Sequence, residues 1–76
     1  MKKLSDCKSG SWWKVEKIDN HAPIKIKRRL LEFGFTGGQG VRVERKSIFG
    51  DTFLIQIRGY CLSLRKQIVE YILVVK

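Results

Sequence analysis

The fold class is decided by residues 52–64, which read TFLIQIRGYCLSL. From Thr52 to Arg58 every second residue is Phe or Ile, and this alternation is typical of a strand with one buried face. Gly59-Tyr60 supplies a tight turn, after which Cys61 to Leu64 continues as a second strand. The stretch therefore predicts a β-hairpin, with Leu54 on the face that points away from the core.

The residues before this hairpin predict two further strands. Val41 to Arg45 alternates cleanly, and a loop over residues 47–51 joins it to Thr52. Trp12 to Ile18 is rich in aromatic and β-branched residues, which are frequent in strands. A bulge near Glu16-Lys17 would turn Trp13, Val15 and Ile18 inward and would leave Trp12 outside.

A single helix is predicted between the first two strands. Pro23 suits a first helical position, where its missing N–H is not needed, and the helix runs to Phe33. Gly34 suits the position after the helix because it tolerates a positive φ. The apolar stripe consists of residues three or four apart, namely Ile26, Leu30 and Phe33, widened by Ile24 and Leu31.

The C-terminal residues predict one helical turn over 65–70 and a last short strand over 71–75. The chain then contains about five short strands and one helix after the first strand. We therefore predict a mainly β fold over residues 1–76: a single, strongly bent, SH3-like antiparallel barrel, since this arrangement leaves few exposed strand edges.

Length and charge exclude several classes of protein. The chain has 76 residues with a net charge of +9, too few for a large enzyme with a deep cleft. It has no apolar run close to the ~20 residues that span a bilayer, and no apolar segment of a signal peptide follows Lys2-Lys3. We therefore expect a cytoplasmic protein or one whose signal segment has been removed. The charge attracts polyanions, whether nucleic acid, an anionic membrane or an acidic protein, without choosing among them.

The residues that usually carry chemistry are sparse. The chain has one histidine, His21, and two cysteines, Cys7 and Cys61, without the short spacings of metal ligands. We expect no catalytic residue, no metal site and no cofactor, and we expect Cys61 to be half-buried beside the core strands. The glycines at 37, 38 and 40 precede a strand rather than a helix, so they indicate a turn and not a phosphate loop.

One motif set resembles the FeoA family. It consists of a helix ending in Leu-x-x-x-Gly, a second glycine, a valine-rich strand, a loop ending in Gly-Asp, and Leu-x-Leu-Arg near the end. The matching residues are Leu30, Gly34, Phe35, Gly38, Val43, Gly50, Asp51, Leu62, Leu64 and Arg65. We expect Leu30, Gly34, Gly38, Gly50, Leu62 and Leu64 to be structural.

The resemblance implies an SH3-like barrel and a role in bacterial ferrous iron uptake. The partner implied is FeoB, a membrane permease that carries a GTPase domain, so that catalysis would belong to the partner and this chain would be peripheral to the inner membrane. The alternative is a basic small barrel that binds nucleic acid. The positive charge favours this alternative, and Trp12 could stack on bases.

A partner-binding surface can be predicted from apolar residues placed outside the core. Alternation leaves Trp12 and Leu54 on outward faces, and the loop before Thr52 offers Ile48 and Phe49. Apolar anchors of this kind supply binding energy, whereas neighbouring cations steer the encounter. We therefore predict that Trp12, Ile48, Phe49 and Leu54 bind the partner, assisted by Arg42 and Lys46, with only weak contact to anionic lipid.

Overall fold

The computed structural model describes residues 1–76, and its secondary structure is mainly β. There are six strands: β1 (Lys2–Lys3), β2 (Trp12–Ile18), β3 (Gly40–Lys46), β4 (Thr52–Ile57), β5 (Tyr60–Arg65) and β6 (Ile72–Val75). The helices are α1 (Ile24–Phe33) and the single turn α2 (Lys66–Val69), and a 3-10 turn spans Leu4–Asp6. The predicted mainly β class is confirmed; there are six strands rather than about five, because the unpredicted β1 precedes β2, and α1 follows β2.

All strand pairs are antiparallel, and the sheet has the order β1-β6-β2-β3-β4-β5. Fifteen buried apolar residues from strands, helices and the 3-10 turn form one cluster, which includes Leu4 beside one sheet edge and Phe53 of β4. A flat sheet of six strands could not bring these residues together, so the sheet curls around them. The edge strands of the sheet are β1 and β5. The 3-10 turn that follows β1 packs against α2, which follows β5, and so links these two edges.

Two β-bulges set which side chains face the core. The pairing of β2 with β6 shifts between Val15 and Lys17, as the sequence predicted, and Val15 and Ile18 are both buried. Trp13 is half-buried and packs against the core cluster, whereas Trp12 is exposed. A second shift, between Val43 and Arg45 in the pairing of β3 with β4, was not predicted.

The β4–β5 turn lies one residue earlier than the sequence analysis placed it. Ile57 pairs with Tyr60, and the two residues between them, Arg58 and Gly59, have φ values of 51° and 80°. Positive φ at both central positions defines the hairpin turn whose twist matches the flanking strands. Tyr60 is therefore the first residue of β5, and its hydroxyl donates a 2.6 Å hydrogen bond to the Phe33 carbonyl at the end of α1.

The helix α1 ends where the sequence predicted, but its buried stripe is narrower. Gly34 has φ 108°, its N–H donates to the Leu31 carbonyl, and the Phe35 N–H donates to the Leu30 carbonyl. This pair of hydrogen bonds is the Schellman motif, and it joins two buried side chains, Leu30 and Phe35. The expectation that Ile24 and Leu31 widen the stripe was wrong, since both are exposed and only Leu30 of α1 is fully buried.

The N-terminal residues contribute to the core although no pattern in the sequence indicated it. β1 pairs with β6, and the 3-10 turn that follows buries Leu4 completely. Cys7 is also fully buried, and burial raises the pKa of its thiol. Cys61, in contrast, is exposed on the edge strand β5, so the expectation that it is half-buried was wrong.

Candidate functional site

The outward side of the sheet carries Trp12 and Arg42 in one cross-strand row. Trp12 pairs with Arg42, Arg42 with Gln56, and Gln56 with Cys61, so these four side chains share the side opposite to the core residues. Trp12 is 52% exposed, and the Arg42 guanidinium carbon lies 5.9 Å from the centroid of its ring, within cation–π range. The row therefore presents an open aromatic ring beside a cation.

Arg42 is held in place by two further contacts. Its Nε donates a hydrogen bond of 3.2 Å to the Gly10 carbonyl, and its Nη1 lies 3.2 Å from Oε1 of Glu44. These contacts fix the guanidinium over the Trp12 ring. Arg42 therefore has a structural role in addition to its predicted contact role.

The next outward row contains Leu54. It pairs with Arg45 on one side and with Ser63 on the other, and it is half-buried in a shallow depression. Because the β3 bulge adds Glu44 before this row, Arg45 lies directly beside Leu54. We call the surface formed by Trp12, Arg42, Arg45 and Leu54 the sheet face.

Ile48 and Phe49 are separated from Trp12 by the length of β3. The sheet face begins at the Arg42 row, and Lys46, four residues further along, lies roughly 13 Å away at the usual rise of a strand. The loop of residues 47–51 follows Lys46 and carries Ile48 and Phe49 at its tip, where they are 96% and 91% exposed. The six predicted contact residues are therefore divided between the sheet face and this loop.

Lys46 lines the same shallow depression as Leu54 and follows Arg45 in β3. It pairs with Phe53, whose side chain is buried, and its Nζ lies 5.1 Å from the centroid of the Phe53 ring. The ammonium group of Lys46 therefore covers one end of the core. Lys46 also directly precedes the 47–51 loop.

A shallow apolar groove, which the sequence analysis missed, lies between α1 and the β5–α2 corner. It encloses about 260 Å³ and is lined mainly by Ile26, Leu30, Phe33, Leu64 and Ile68. This volume is slightly below the usual range of small-molecule sites. The helical stripe and the strand could each be read from the sequence, but their approach to one another could not.

A second aromatic contact links the chain termini to β2. The ammonium groups of Lys76 and Lys2 lie 4.6 Å and 5.2 Å from the centroid of the Trp13 ring, and Lys76 also donates to the Trp12 carbonyl. The Trp13 indole N–H donates to the hydroxyl of Ser11. Trp13 is therefore packed and paired, and only Trp12 offers an open ring face.

The residues with ligand chemistry remain dispersed. His21 Nδ1 lies 2.9 Å from Oδ1 of Asp19, and the hydrogen bonds that His21 donates lower the pKa of Asp19. No group of three His, Cys, Asp or Glu side chains is close enough to hold a metal ion. The expectation of no metal site remains a prediction.

The residues expected to be structural lie in the core or at turns. Leu30 is buried, while Leu62 and Leu64 are half-buried and pack against the core cluster. Gly38 and Gly50 have φ values of 88° and 72°, which favour glycine over other residues. Their positions are those that a structural role requires.

The curled antiparallel sheet, its one long helix and its short closing turns define the class of protein, a small SH3-like β-domain. The sequence matches the family model of the FeoA domain over residues 2–76. The chain belongs to the FeoA family. This confirms the resemblance that the glycine and leucine motifs indicated.

Solved structures agree with this assignment. A FeoA-like protein from Clostridium acetobutylicum is 32% identical, with a TM-score of 0.87, and the match covers 97% of this chain and 84% of that one. FeoA from Chlorobium tepidum is 30% identical with a TM-score of 0.85, covering 95% of this chain and 67% of that one. No curated protein matched the sequence.

A third structure, FeoA from Stenotrophomonas maltophilia complexed with zinc, is 32% identical with a TM-score of 0.84. The match covers 95% of this chain and 87% of that one. That protein is described as a prokaryotic SH3 domain protein and as a candidate activating factor of bacterial ferrous iron transport.

Neither helix of the present chain is long and apolar enough to cross a membrane.

Proposed function

We propose that this protein is a non-enzymatic accessory factor of bacterial ferrous iron uptake. It binds FeoB, the permease with a GTPase domain, at the cytoplasmic face of the inner membrane and modulates its activity. Membership of the FeoA family and the description of the Stenotrophomonas maltophilia protein support the transport role. The observation that carries the binding role is the sheet face.

The sheet face has the composition of a protein contact. Trp12 is a large aromatic residue with an open ring, and Leu54 sits in a shallow depression among polar residues. Trp and Arg are the residue types most often found as energetic anchors at interfaces, with surrounding residues that exclude water. Arg42 and Arg45 place two cations around these anchors, which favours a partner whose docking surface is acidic.

The binding test is capture of detergent-solubilised FeoB by variants of the sheet face. Trp12→Ala and Leu54→Asp should each weaken binding by roughly 30-fold, the loss expected for an anchor worth about 2 kcal/mol. Leu31→Asp is the matched control, since Leu31 is an exposed leucine on α1 that lies outside the sheet face. Circular dichroism establishes that each variant is folded.

The charges of the sheet face can be tested separately. Arg45 is exposed, and it has none of the contacts through which Arg42 holds Gly10 and Glu44. Arg45→Glu should therefore slow association with FeoB at low salt and have little effect at high salt, because exposed charges are screened.

Two results would contradict the proposal. Folded Trp12→Ala and Leu54→Asp variants that bind FeoB as well as the natural chain would exclude the sheet face. Binding to DNA that survives physiological salt and is lost in Trp12→Ala would instead favour the nucleic-acid alternative, because charge alone would give affinity that falls steeply with salt.

A further inference from the structure

The 47–51 loop exposes more apolar surface than any other turn of the molecule. Ile48 and Phe49 are 96% and 91% exposed, so neither side chain contributes to the core. Burying such a side chain in an apolar environment is favourable, and neither side chain gains that free energy in the isolated chain. The two side chains are adjacent and project from the tip of the loop, where almost their whole surface is open to solvent.

The loop is ordered by its own hydrogen bonds. The Ser47 hydroxyl donates to Oδ1 of Asp51 over 2.6 Å and accepts from the Asp51 and Thr52 N–H groups. The Ser47 N–H donates to the Thr52 carbonyl, and the Gly50 N–H donates to the Ser47 carbonyl. Ile48 and Phe49 are therefore held out on a preorganised turn, and little conformational entropy would be lost on binding.

Cations surround the base of the loop. Lys46 precedes it, Arg65 pairs with Thr52 where the loop ends, and the Lys66 N–H donates to the Asp51 carbonyl. Asp51 is the only acidic residue within the loop, and its carboxylate is hydrogen-bonded by Ser47. The apolar tip thus lies above a base that is flanked by three basic residues.

We propose that the 47–51 loop inserts Ile48 and Phe49 into the interfacial region of an anionic lipid bilayer. The basic residues at its base complement the negative headgroups, and the fluid hydrocarbon accommodates an apolar tip of any shape. Stable attachment to a membrane requires two signals, such as an apolar anchor and a basic patch, and this loop combines both. The inference does not depend on FeoB, because lipid alone is the ligand.

The test is co-sedimentation of the full chain with vesicles made of equal parts phosphatidylglycerol and phosphatidylcholine, compared with vesicles of phosphatidylcholine alone. The protein should bind the anionic vesicles more strongly, and Phe49→Ser should reduce that binding by roughly tenfold or more. Phe49→Leu, which remains apolar, should retain most of it. Lys66→Gln should reduce binding by about fivefold, the effect of one cation near the surface.

Leu31→Ser is the control for a general loss of exposed apolar area, because Leu31 is an exposed leucine on α1 outside the loop. Its binding to anionic vesicles should equal that of the natural chain. Because the loop residues make no core contact, thermal unfolding of Phe49→Ser should match the natural chain.

Three outcomes would overturn the proposal. Equal binding of Phe49→Ser and the natural chain would mean that charge alone holds the protein at the vesicle. Absence of vesicle binding would exclude a lipid ligand. Loss of binding to detergent-solubilised FeoB in Phe49→Ser, without vesicle binding by the natural chain, would assign the loop to a protein contact. Failure of the sheet face in the FeoB assay is a separate result, which leaves the vesicle experiment unaffected.

Discussion

Replacing Gly34 tests how the end of α1 is joined to the β4–β5 turn. Gly34 has φ 108°, and a Cβ added to it would overlap the Cδ of Arg58 and lie 3.2 Å from its Nη1. The backbone conformation alone costs an L-residue about 1–2 kcal/mol. Displacing the Arg58 side chain from its preferred rotamer adds roughly 0.5–1.5 kcal/mol. Gly34→Ala should therefore destabilise the fold by about 1.5–3.5 kcal/mol.

The two contributions can be separated by comparison with a second glycine. Gly38 has φ 88°, and nothing lies within 4 Å of an added Cβ, so Gly38→Ala should show the backbone cost alone. Shortening the clashing side chain with Arg58→Ala should recover roughly 1 kcal/mol in the Gly34→Ala background but not in the Gly38→Ala background. The measurement is the free energy of unfolding from urea titrations followed by circular dichroism.

Thermal unfolding provides an independent measure. For a domain of this size 1 kcal/mol corresponds to roughly 4–8 °C, so Gly34→Ala should lower Tm by roughly 6–28 °C. Gly34→Ala with the stability of the natural chain would refute the assigned role of the helix end. Equal losses for Gly34→Ala and Gly38→Ala, unaffected by Arg58→Ala, would refute the contact with Arg58.

The remaining predictions concern the core, acid stability and metal binding. Leu30→Ala should lower the free energy of unfolding by about 2–5 kcal/mol, because Leu30 is the only fully buried residue of α1 and its truncation leaves a cavity; a nearly unchanged urea midpoint would contradict this. The hydrogen bond from Ser47 lowers the pKa of Asp51 in the folded chain. The ionised carboxylate therefore stabilises the fold at pH values above the ordinary aspartate pKa, and this contribution is lost as pH falls through the lowered pKa of the folded state. Urea midpoints of Asp51→Asn should therefore fall less than those of the natural chain between about pH 5 and pH 3; parallel profiles would count against it. Anaerobic titration should reveal no tight ferrous site, because His21 is paired with Asp19 and has no further ligands nearby; a stoichiometric sub-micromolar site that His21→Ala removes would show the opposite.

Local patterns in the sequence were sufficient for strands β2 to β6, for α1 and for the family. The alternation from Phe53 to Ile57 places those side chains inside because successive residues of a strand point to opposite faces. The bulge after Val15 follows from the need to bury both Val15 and Ile18. The helix ends at Gly34 because a positive φ closes the Schellman motif there.

The tertiary structure alone decided the burial of side chains that are covered, or left open, by residues distant in the sequence. Leu4 lies in the 3-10 turn that contacts β6 and α2, and Cys7 directly follows this turn; both are buried, and no periodicity in so short a segment could indicate it. Ile24 and Leu31 are exposed because the rest of the molecule covers only one side of α1, and Cys61 because β5 is an edge strand.

The candidate site was likewise predicted in part from the sequence and in part visible only in the tertiary structure. The sequence identified Trp12, Leu54, Ile48 and Phe49 as apolar residues outside the core, because strand alternation and loop position are local properties. The position of Trp12 beside Arg42, and of Leu54 beside Arg45, could not be predicted. It depends on the cross-strand register of β2, β3 and β4 and on the bulge at Glu44, and register is set by the packing of the whole sheet around one core.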